Sequence, residues 1–309
     1  MKIKLLGLTF LIHLIIFSQD KVFMSSNISI NQFVDGTLLT STDKSNSKPN
    51  LAIIIADSGP IDRNGNQNFQ KNNALKKLAE SLSIKGIATY RYDKRVVKQI
   101  RNRYVNQDIT FDDFITDAKS VIAYFKSGNT YNNIYIIGHG QGSLVGMIAA
   151  LENVDGFISI AGLGQPIDHV ILEQIENTAP MFTNDAKKVF DILKQGKTTP
   201  HYPEALSSIF SLDIQPFMMN WMQYDPQEII KQFKIPVLII NGTKDLQVTI
   251  EEASLLKHAS PNASLKLIDN MNHIMFIIEG GNLENSKSYN ESFREIAPEL
   301  IDAISTFIN

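Results

Sequence analysis

The stretch that decides the fold reads Ile134-Tyr135-Ile136-Ile137-Gly138-His139-Gly140-Gln141-Gly142-Ser143-Leu144. An apolar run of strand length enters a turn in which every second residue is glycine, and a helical pattern follows at once. A strand-to-helix turn this sharp strains its central residue, and the residues two positions away must lack side chains to avoid collision. The central side chain would stand at the sheet edge, above the positive end of the following helix. That central residue is Gly140, which has no side chain.

Outward from this turn, apolar strands alternate with amphipathic helices. The predicted strands are residues 51–56, 87–92, 134–138, 157–161, 236–241 and 264–268, and the predicted helices are 73–85, 110–127, 141–151, 250–258 and 295–308. Two β-like stretches, 22–30 and 33–40, favour a leading antiparallel hairpin. Unbroken apolar strands between amphipathic helices are typical of a mainly parallel sheet covered on both faces, so the predicted fold class is α/β.

Residues 162–234 break this alternation, because they are helical in character and have no strand. Ligands of open α/β sheets bind at the carboxyl ends of the strands, so a helical insertion after a strand is interpreted as a lid. Four large apolar residues near its end, Phe217, Met218, Trp221 and Met222, are predicted to bind substrate together with Asp57. The alternative is a set of extra packing helices, since Met and Trp clusters are more often core than pocket.

The composition is that of an ordinary globular protein. The chain has 309 residues, 43% hydrophobic and 20% charged, which suits one large α/β domain, predicted over residues 20–309. With 29 basic and 32 acidic residues the net charge is −3, so no basic surplus points to nucleic acid. The absence of cysteine excludes disulfides, thiol catalysis and thiolate metal sites. We expect neither a metal nor a cofactor.

The first residues resemble a targeting segment. Lys2 and Lys4 precede Leu5–Phe17, which is nearly all apolar and has the length of a signal-peptide core rather than of a membrane span. Residues 1–19 are therefore predicted to be a signal peptide, and the mature protein to be exported to the periplasm or beyond, with no stable membrane insertion. The alternative is an uncleaved N-terminal anchor.

Two polar residues follow later strands at the same predicted edge of the sheet as Gly140. Asp245 comes after strand 236–241, and His273 comes after strand 264–268. The order of central turn residue, acid and histidine is that of a Ser-Asp-His triad on a strand–turn–helix scaffold. An exposed loop aspartate and a structural histidine are the alternatives for each residue alone, but their matching placement favours a functional pair. His139, His169, His201 and His258 lack this placement.

From about residue 30 onward the chain resembles the serine-hydrolase branch of the α/β-hydrolases, in particular exported bacterial esterase and serine aminopeptidase-like proteins. The resemblance rests on the turn Gly138–Gly142, which corresponds to the nucleophile elbow of that family, and on four further stretches: Ala56-Asp57-Ser58-Gly59-Pro60, Arg91-Tyr92-Asp93-Lys94-Arg95, Asn241-Gly242-Thr243-Lys244-Asp245 and Asn270-Met271-Asn272-His273. It implies a triad with Asp245 and His273, an oxyanion hole built from the amides of Gln141 and Ser58, and a small acyl ester or amide as substrate.

This sequence departs from the family pattern at three places around the expected site. Gly140 replaces the serine, Asp57 stands where the family usually has glycine, and Val96-Val97 replace a Gly-x-Gly after Arg95. Without a hydroxyl, residue 140 cannot form an acyl-enzyme. An ionised Asp57 aimed inward would oppose an oxyanion. Ser143 lies within the helix and is expected to point away from the turn, so it is not expected to substitute.

Three functions remain open at this point. The first is a weakened hydrolase, in which His273, oriented by Asp245, activates a water that attacks a small acyl ester. The second is a non-catalytic protein that binds a small molecule in the retained pocket. The third is an engineered form of a normal esterase, in which Gly140 replaces a native serine.

Overall fold

A computed structural model describes residues 23–42, 48–104, 108–151 and 154–309. Its centre is one eight-stranded sheet in the order β1-β2-β4-β3-β5-β6-β7-β8. The strands are β1 Phe23–Ser29, β2 Asp35–Ser41, β3 Leu51–Ile55, β4 Ala88–Tyr92, β5 Ile134–His139, β6 Gly156–Ile160, β7 Val237–Gly242 and β8 Ser264–Ile268. The pairs β1–β2 and β2–β4 are antiparallel, and all other pairs are parallel. The predicted α/β class and the leading hairpin are confirmed.

Helices cover both faces of this sheet. They are α1 Ala74–Ile84, α2 Arg95–Arg101, α3 Phe111–Ser127, α4 Gln141–Ala150, α5 Ile167–Thr178, α6 Thr183–Lys194, α7 Ser207–Phe210, α8 Gln215–Trp221, α9 Pro226–Ile230, α10 Ile250–Ala259, α11 Asn282–Ser288 and α12 Pro298–Ile308. The five helices predicted outside the 162–234 segment are present, with ends shifted by a few residues. Helices α2 and α11 were not predicted, because both are short and carry little apolar periodicity. None of the described helices is long and apolar enough to cross a membrane.

Two apolar layers sandwich the sheet, and neighbouring residues of the central strands enter opposite layers. Ile53 and Ile136 belong to the layer that contains α3 and α4, whereas Ile54 and Ile137 belong to the layer that contains α1 and α12. Each strand is therefore buried on both faces, which is why these strands are unbroken apolar runs rather than alternating ones.

The segment 162–234 holds α5 to α9 and two 3₁₀ turns, Pro180–Phe182 and Glu204–Leu206, with no strand among its residues. Its end packs on α3, where Trp221 stacks on Phe111 with ring centroids 5.5 Å apart and an interplanar angle of 4°. Its beginning is tied to α10, because Glu252 accepts hydrogen bonds from the Gly164 amide (2.6 Å) and from Gln165 Nε2 (2.8 Å). Whether the segment moves as a lid stays a prediction.

The parallel strands bring their following loops to one edge of the sheet. Asp57 follows β3, Lys94 follows β4, Gly140 follows β5, Asp245 follows β7 and His273 follows β8. Residues more than 200 positions apart in the chain are therefore neighbours at this edge, where open α/β sheets bind their ligands.

Candidate active site

The turn between β5 and α4 has the strained geometry that its glycines predict. Gly140 adopts φ +53° and ψ −121°, in the region that side chains disfavour. A Cβ on Gly138 would lie 2.4 Å from the carbonyl oxygen of Gly142, and one on Gly142 would lie 2.5 Å from that of Ala56. The two flanking glycines are therefore required by close backbone approach.

Ser143 does not reach this turn. Its hydroxyl is fully buried and lies 2.7 Å from that of Ser159 on β6. It points away from the site, as expected, and offers no replacement for a serine at position 140.

Asp245 and His273 form a buried hydrogen-bonded pair. His273 Nδ1 lies 2.8 Å from Asp245 Oδ2, and the other oxygen of Asp245 accepts the amides of Gln247 (2.8 Å) and Val248 (2.9 Å). The carboxylate is thus fixed on both oxygens and orients the imidazole. This is the geometry that the loop positions of the two residues predict for a triad's acid and histidine.

The loop that carries His273 is held by a buried amide network. Asn272 Oδ1 accepts the Phe276 amide at 3.0 Å, and its Nδ2 donates to Asn285 Oδ1 and to Ser288 Oγ, both at 2.9 Å. The last two residues belong to α11, so the unpredicted helix serves to fix the histidine loop.

Asp57 occupies the space in front of Gly140. Its Oδ1 accepts the Gln141 amide at 2.7 Å, and its Oδ2 lies 2.9 Å from His273 Nε2. A Cβ on Gly140 would lie 1.9 Å from Asp57 Oδ1, so a side chain at residue 140 and this position of the carboxylate exclude each other. One carboxylate therefore takes both places that a serine hydroxyl and an acyl oxyanion would use: beside the histidine and on the first amide of α4.

The hydrogen bonds define the protonation state of the site. Both ring nitrogens of His273 face carboxylate oxygens, which only accept, so both nitrogens donate and the ring is an imidazolium. Burial acts to lower the pKa of His273, but the charges and hydrogen bonds of Asp245 and Asp57 outweigh it and raise the pKa to about 10. Burial likewise acts to raise the pKa of Asp57, but His273 holds that pKa well below its usual range. The resting site is an Asp–His–Asp ion triplet.

Lys94 holds Asp57 and Gln141 in place through hydrogen bonds, and the sequence did not identify it as a site residue. Its Nζ donates to the carbonyl oxygen of Asp57 (2.9 Å) and to Gln141 Oε1 (2.8 Å), and it lies 4.4 Å from the centroid of the Phe114 ring. Burial lowers the pKa of Lys94 to about 8. The signal in the sequence was its place just after β4, at the same sheet edge as the other site residues.

His139 is a second supporting residue. Its Nε2 donates to the carbonyl oxygen of His273 at 2.8 Å, and the two imidazole rings lie 4.8 Å apart. Burial, and the charge of His273 next to it, lower the pKa of His139, so its ring is neutral. The sequence predicted no functional placement for His139, and the structure shows that its imidazole hydrogen bond fixes the backbone of His273.

Two cavities open onto this centre, and Asp57, Ser58, Gln247 and His273 line both. The cavity of about 200 Å³ lies under the 162–234 segment and has an apolar wall formed by Leu163, Ile167 and Val170, with Gln174 and Trp221 alongside. The other, of about 140 Å³, extends toward Gln67, Gln70 and Tyr289. Ser58, the second predicted oxyanion donor, is exposed at their junction.

The residues predicted to bind substrate divide into two groups. Asp57 and Trp221 line the larger cavity. Phe217 instead packs edge-on against Phe111 and Phe114 of α3, and Met218 and Met222 lie in or against the same apolar layer. Phe217 therefore belongs to the contact between the segment and α3, which is the packing alternative that the sequence left open, and none of these three residues lines either cavity.

Val96 and Val97 form the first turn of α2, where the family usually has Gly-x-Gly. Val97 is buried, and the helix starts at Arg95, which binds Asp117 through two hydrogen bonds of 2.8 Å each. The two valines therefore belong to a helix that directly follows Lys94 in the chain. Neither valine lines either of the two cavities that open onto the centre.

Comparison with known proteins agrees with this architecture. A curated relative, the esterase EstD of Thermotoga maritima, is 27% identical over 234 residues, which is 74% of this chain and 55% of that protein, so the chain spans about half the length of that relative. Among solved structures, Est1E from Butyrivibrio proteoclasticus superposes with a TM-score of 0.56 at 16% identity, covering 92% of this chain and 96% of that one. The esterase of Pyrococcus furiosus gives a TM-score of 0.52 at 15% identity, covering 92% and 90%.

A family model described as serine aminopeptidase, S33, matches residues 70–279, more than half of the chain. The matched range contains Gly140, Asp245 and His273, whereas Asp57 lies before it. With its sheet order, elbow and histidine–acid pair, the chain belongs to the serine aminopeptidase S33 family of α/β-hydrolases.

Proposed function

We propose that this protein is an α/β-hydrolase of the carboxylesterase type that has lost the acyl-enzyme route and retains its cavity for a small acyl ester or amide-like ligand. The observation that carries the proposal is the carboxylate of Asp57 in front of Gly140, on both His273 and the Gln141 amide. A serine hydrolase needs the histidine nitrogen free to bond its serine hydroxyl, and it needs the backbone amide free to bind its oxyanion.

The same contacts argue against a weakened hydrolase that works through water. A general base needs an unprotonated nitrogen, but His273 donates from both nitrogens and its pKa is raised to about 10. The Gln141 amide already bonds Asp57, and a second negative charge there would meet an ionised carboxylate. Ester hydrolysis by a water on His273 therefore requires Asp57 to leave first.

The observed position of the Asp57 side chain also requires that residue 140 have no side chain. Because a Cβ at residue 140 would lie 1.9 Å from Asp57 Oδ1, a serine there needs a different position for residue 57. We infer that the two departures from the family pattern form one change, which argues against Gly140 being an isolated engineered substitution.

The test compares the wild type with the double variant Asp57→Gly/Gly140→Ser, which restores the family residues at both positions. We expect the wild type to resist a fluorophosphonate probe and to leave a chromogenic short-chain ester unhydrolysed. The double variant should be labelled at residue 140 and should hydrolyse the ester at least roughly 10²–10³-fold faster. Wild-type turnover that disappears in His273→Ala would contradict the proposal and support the water route.

Ligand binding is tested separately by thermal shift. A library of small esters, amides and lactones should contain a compound that raises the melting temperature of the wild type and is recovered unchanged. Est1E has been solved with ferulic acid bound, so small aromatic acids and their esters belong in that library. If no compound in the library stabilises the protein, the retained cavity is not a binding site for this class.

We also propose that the protein is exported, on the strength of the basic and apolar pattern of residues 1–19, which lie outside the described residues. Expression of the full chain in a bacterium, followed by fractionation and N-terminal sequencing, should recover a periplasmic protein that starts near residue 20. A cytoplasmic chain, or an uncut membrane-bound one, would overturn the prediction.

A further inference from the structure

The two edge strands of the sheet differ in how they are protected from pairing with another strand. β8 forms one edge, and its sequence includes Lys266, which forms an ion pair with Glu299 of α12. β1 forms the other edge and reads Phe23-Met24-Ser25-Ser26-Asn27-Ile28-Ser29, without a charged residue or a proline. Soluble proteins protect edge strands with charges, prolines or bulges, because the unpaired N–H and C=O groups of an edge attract another strand. β1 carries no such charge or proline.

β1 is also regular and lightly covered. Its residues pair one to one with β2, so no bulge bends the strand away from a straight course. Among the described residues it pairs on one side only. Five of its residues are exposed and the other two are half-buried, and the side chain of Met24 belongs to the exposed group at 56%. The strand therefore presents a straight, uncharged edge with an apolar side chain in solvent.

On the proposed export, no segment outside the described residues is long enough to cover this edge. A strand of seven residues is about 20 Å long, at roughly 3.4 Å per residue. Signal-peptide removal would leave only residues 20–22 before β1, which cannot turn and run back along it. The stretches 43–47, 105–107 and 152–153 are joined to the described chain at both ends and are too short to extend along the strand and return. A pairing strand must therefore come from another molecule.

The sequence of β1 is complementary to itself in one antiparallel register. When two copies of β1 pair with Ser26 opposite Ser26, Met24 of each copy lies opposite Ile28 of the other. These three residues share one face of the strand, because side chains alternate between the faces, so apolar side chains adjoin there. All seven residues are paired in this register, and no like charges oppose each other. A two-fold axis perpendicular to the sheet generates the arrangement.

We propose that the protein forms a dimer through β1, in which the edge strands of two copies pair antiparallel about Ser26 and join the two sheets into one. Backbone hydrogen bonds of the added strand provide the affinity, and the contacts between Met24 and Ile28 fix the register. The interface consists of one strand from each copy and is therefore small. Small interfaces are weak and transient, so the dimer should form reversibly as the protein concentration rises.

The absence of cysteine allows the pairing to be tested by cross-linking. Ser26→Cys places the one cysteine of each copy opposite its counterpart, at a Cα separation of about 4.5–5.5 Å, which a disulfide can bridge. Mild oxidation of the full chain with this substitution should convert most of it into a disulfide-linked dimer. Ser25→Cys should give at least roughly tenfold less dimer, because its counterpart is a diagonal neighbour about 7–8 Å away. Ser264→Cys, at an exposed serine of β8, is the matched control and should give none.

Sedimentation velocity tests the interface without a covalent bond. The wild type should shift from monomer to dimer with rising concentration, and this measurement does not depend on the folding of any variant. Ser26→Lys places two positive charges opposite each other across the axis, so it should raise the dissociation constant of the dimer at least roughly tenfold. Ser264→Lys makes the same substitution at the other edge and should leave that constant unchanged.

Three outcomes would overturn this pairing. The first is a wild type that stays monomeric at every concentration while Ser26→Cys forms no disulfide. The second is a dimer that Ser264→Lys weakens and Ser26→Lys does not, which would place the interface at β8. The third is cross-linking of Ser25→Cys as complete as that of Ser26→Cys, which contradicts the register. N-terminal sequencing of the same preparation completes the test, because a monomer that retains residues 1–19 would assign the edge to that segment instead of to a second copy.

Discussion

The two halves of the site have diverged to different extents. The Asp245–His273 half keeps the contacts of a catalytic pair, with Asp245 fixed by two backbone amides and the histidine loop fixed by α11. In the Asp57–Gly140 half a single carboxylate lies where, on the proposed function, a serine hydroxyl and an oxyanion would lie. The comparison shows that a histidine–acid pair with intact geometry can face a carboxylate. Beside a hydroxyl such a histidine would be a neutral base, whereas beside Asp57 it is a cation.

The largest loss of folding stability is expected from a substitution of His273, which contacts both halves of the site. His273→Gln leaves Asp57 and Asp245 buried without their common cation, and removing one partner of a buried ion pair costs about 3–5 kcal/mol. Chemical denaturation should show this loss in the free energy of unfolding at pH 7. His258→Gln, at an exposed histidine on α10, is the matched control and should change little. A loss below 1 kcal/mol for His273→Gln would mean that the triplet is not ionised as described.

A smaller loss of stability is expected when the family residue is restored at position 140 while Asp57 is kept. Gly140→Ser alone forces a side chain against Asp57 in a buried space, and overpacking of this kind costs about 1–3 kcal/mol. Asp57→Gly in the same chain should recover most of that loss, which makes the two substitutions strongly non-additive in a double-mutant cycle. Additive effects would show that the carboxylate does not occupy the space in front of residue 140.

The pH dependence of stability sharpens the comparison, because His273 and Lys94 act with opposite signs. The pKa of His273 is raised from an ordinary value of about 6.5 to about 10, so its contribution is complete below pH 6.5 and is lost as the pH rises toward 10. The pKa of Lys94 is lowered to about 8 from about 10.5, so the unfolded chain binds more protons between those values and stability rises there.

These two groups should therefore lower the free energy of unfolding by roughly 1.4 kcal/mol per pH unit between pH 6.5 and 8, and cancel between pH 8 and 10. Lys94→Met removes the group that opposes His273. The free energy of unfolding of this variant should therefore keep falling above pH 8, whereas that of the wild type should level off. Denaturation of both proteins in the same buffers provides the measurement. Identical curves above pH 8 would contradict the lowered pKa of Lys94.

The smallest effect is expected from Trp221→Phe. The variant keeps an aromatic ring on Phe111 and removes an indole N–H that is buried without a hydrogen-bond partner among the described residues, so the loss of packing and the relief of the buried N–H should nearly cancel, within about 1 kcal/mol. Met218→Ala, at a neighbouring buried residue of α8, should cost about 2–5 kcal/mol, because it leaves a cavity in the core. A large loss for Trp221→Phe would mean that its N–H has a partner in the folded protein.

Much of the frame could be predicted from the chain because its signals are local. Apolar runs of strand length predicted six of the strands, and two β-like stretches predicted the leading hairpin. The order of Gly140, Asp245 and His273 after three of the strands predicted a common edge. Helix α11 gave no such signal, since its importance lies in Asn285 and Ser288 contacting Asn272 across the fold. Lys94 and His139 were underrated for the same reason, because a polar residue after a strand does not reveal which atoms it will contact.

The sequence by itself determined the fold class, the sheet edge that carries the site and the absence of a hydroxyl at residue 140, because strand periodicity, turn sterics and residue identity are properties of short stretches. Only the tertiary structure decided what replaces that hydroxyl. Asp57 was expected to disturb an oxyanion, but it fills the space left by Gly140 and is paired with a protonated His273. That outcome depends on the contacts of Asp57 with Gln141, 84 positions later in the chain, and with His273, 216 positions later. Such distances are set by the order of the strands in the sheet and not by any local pattern.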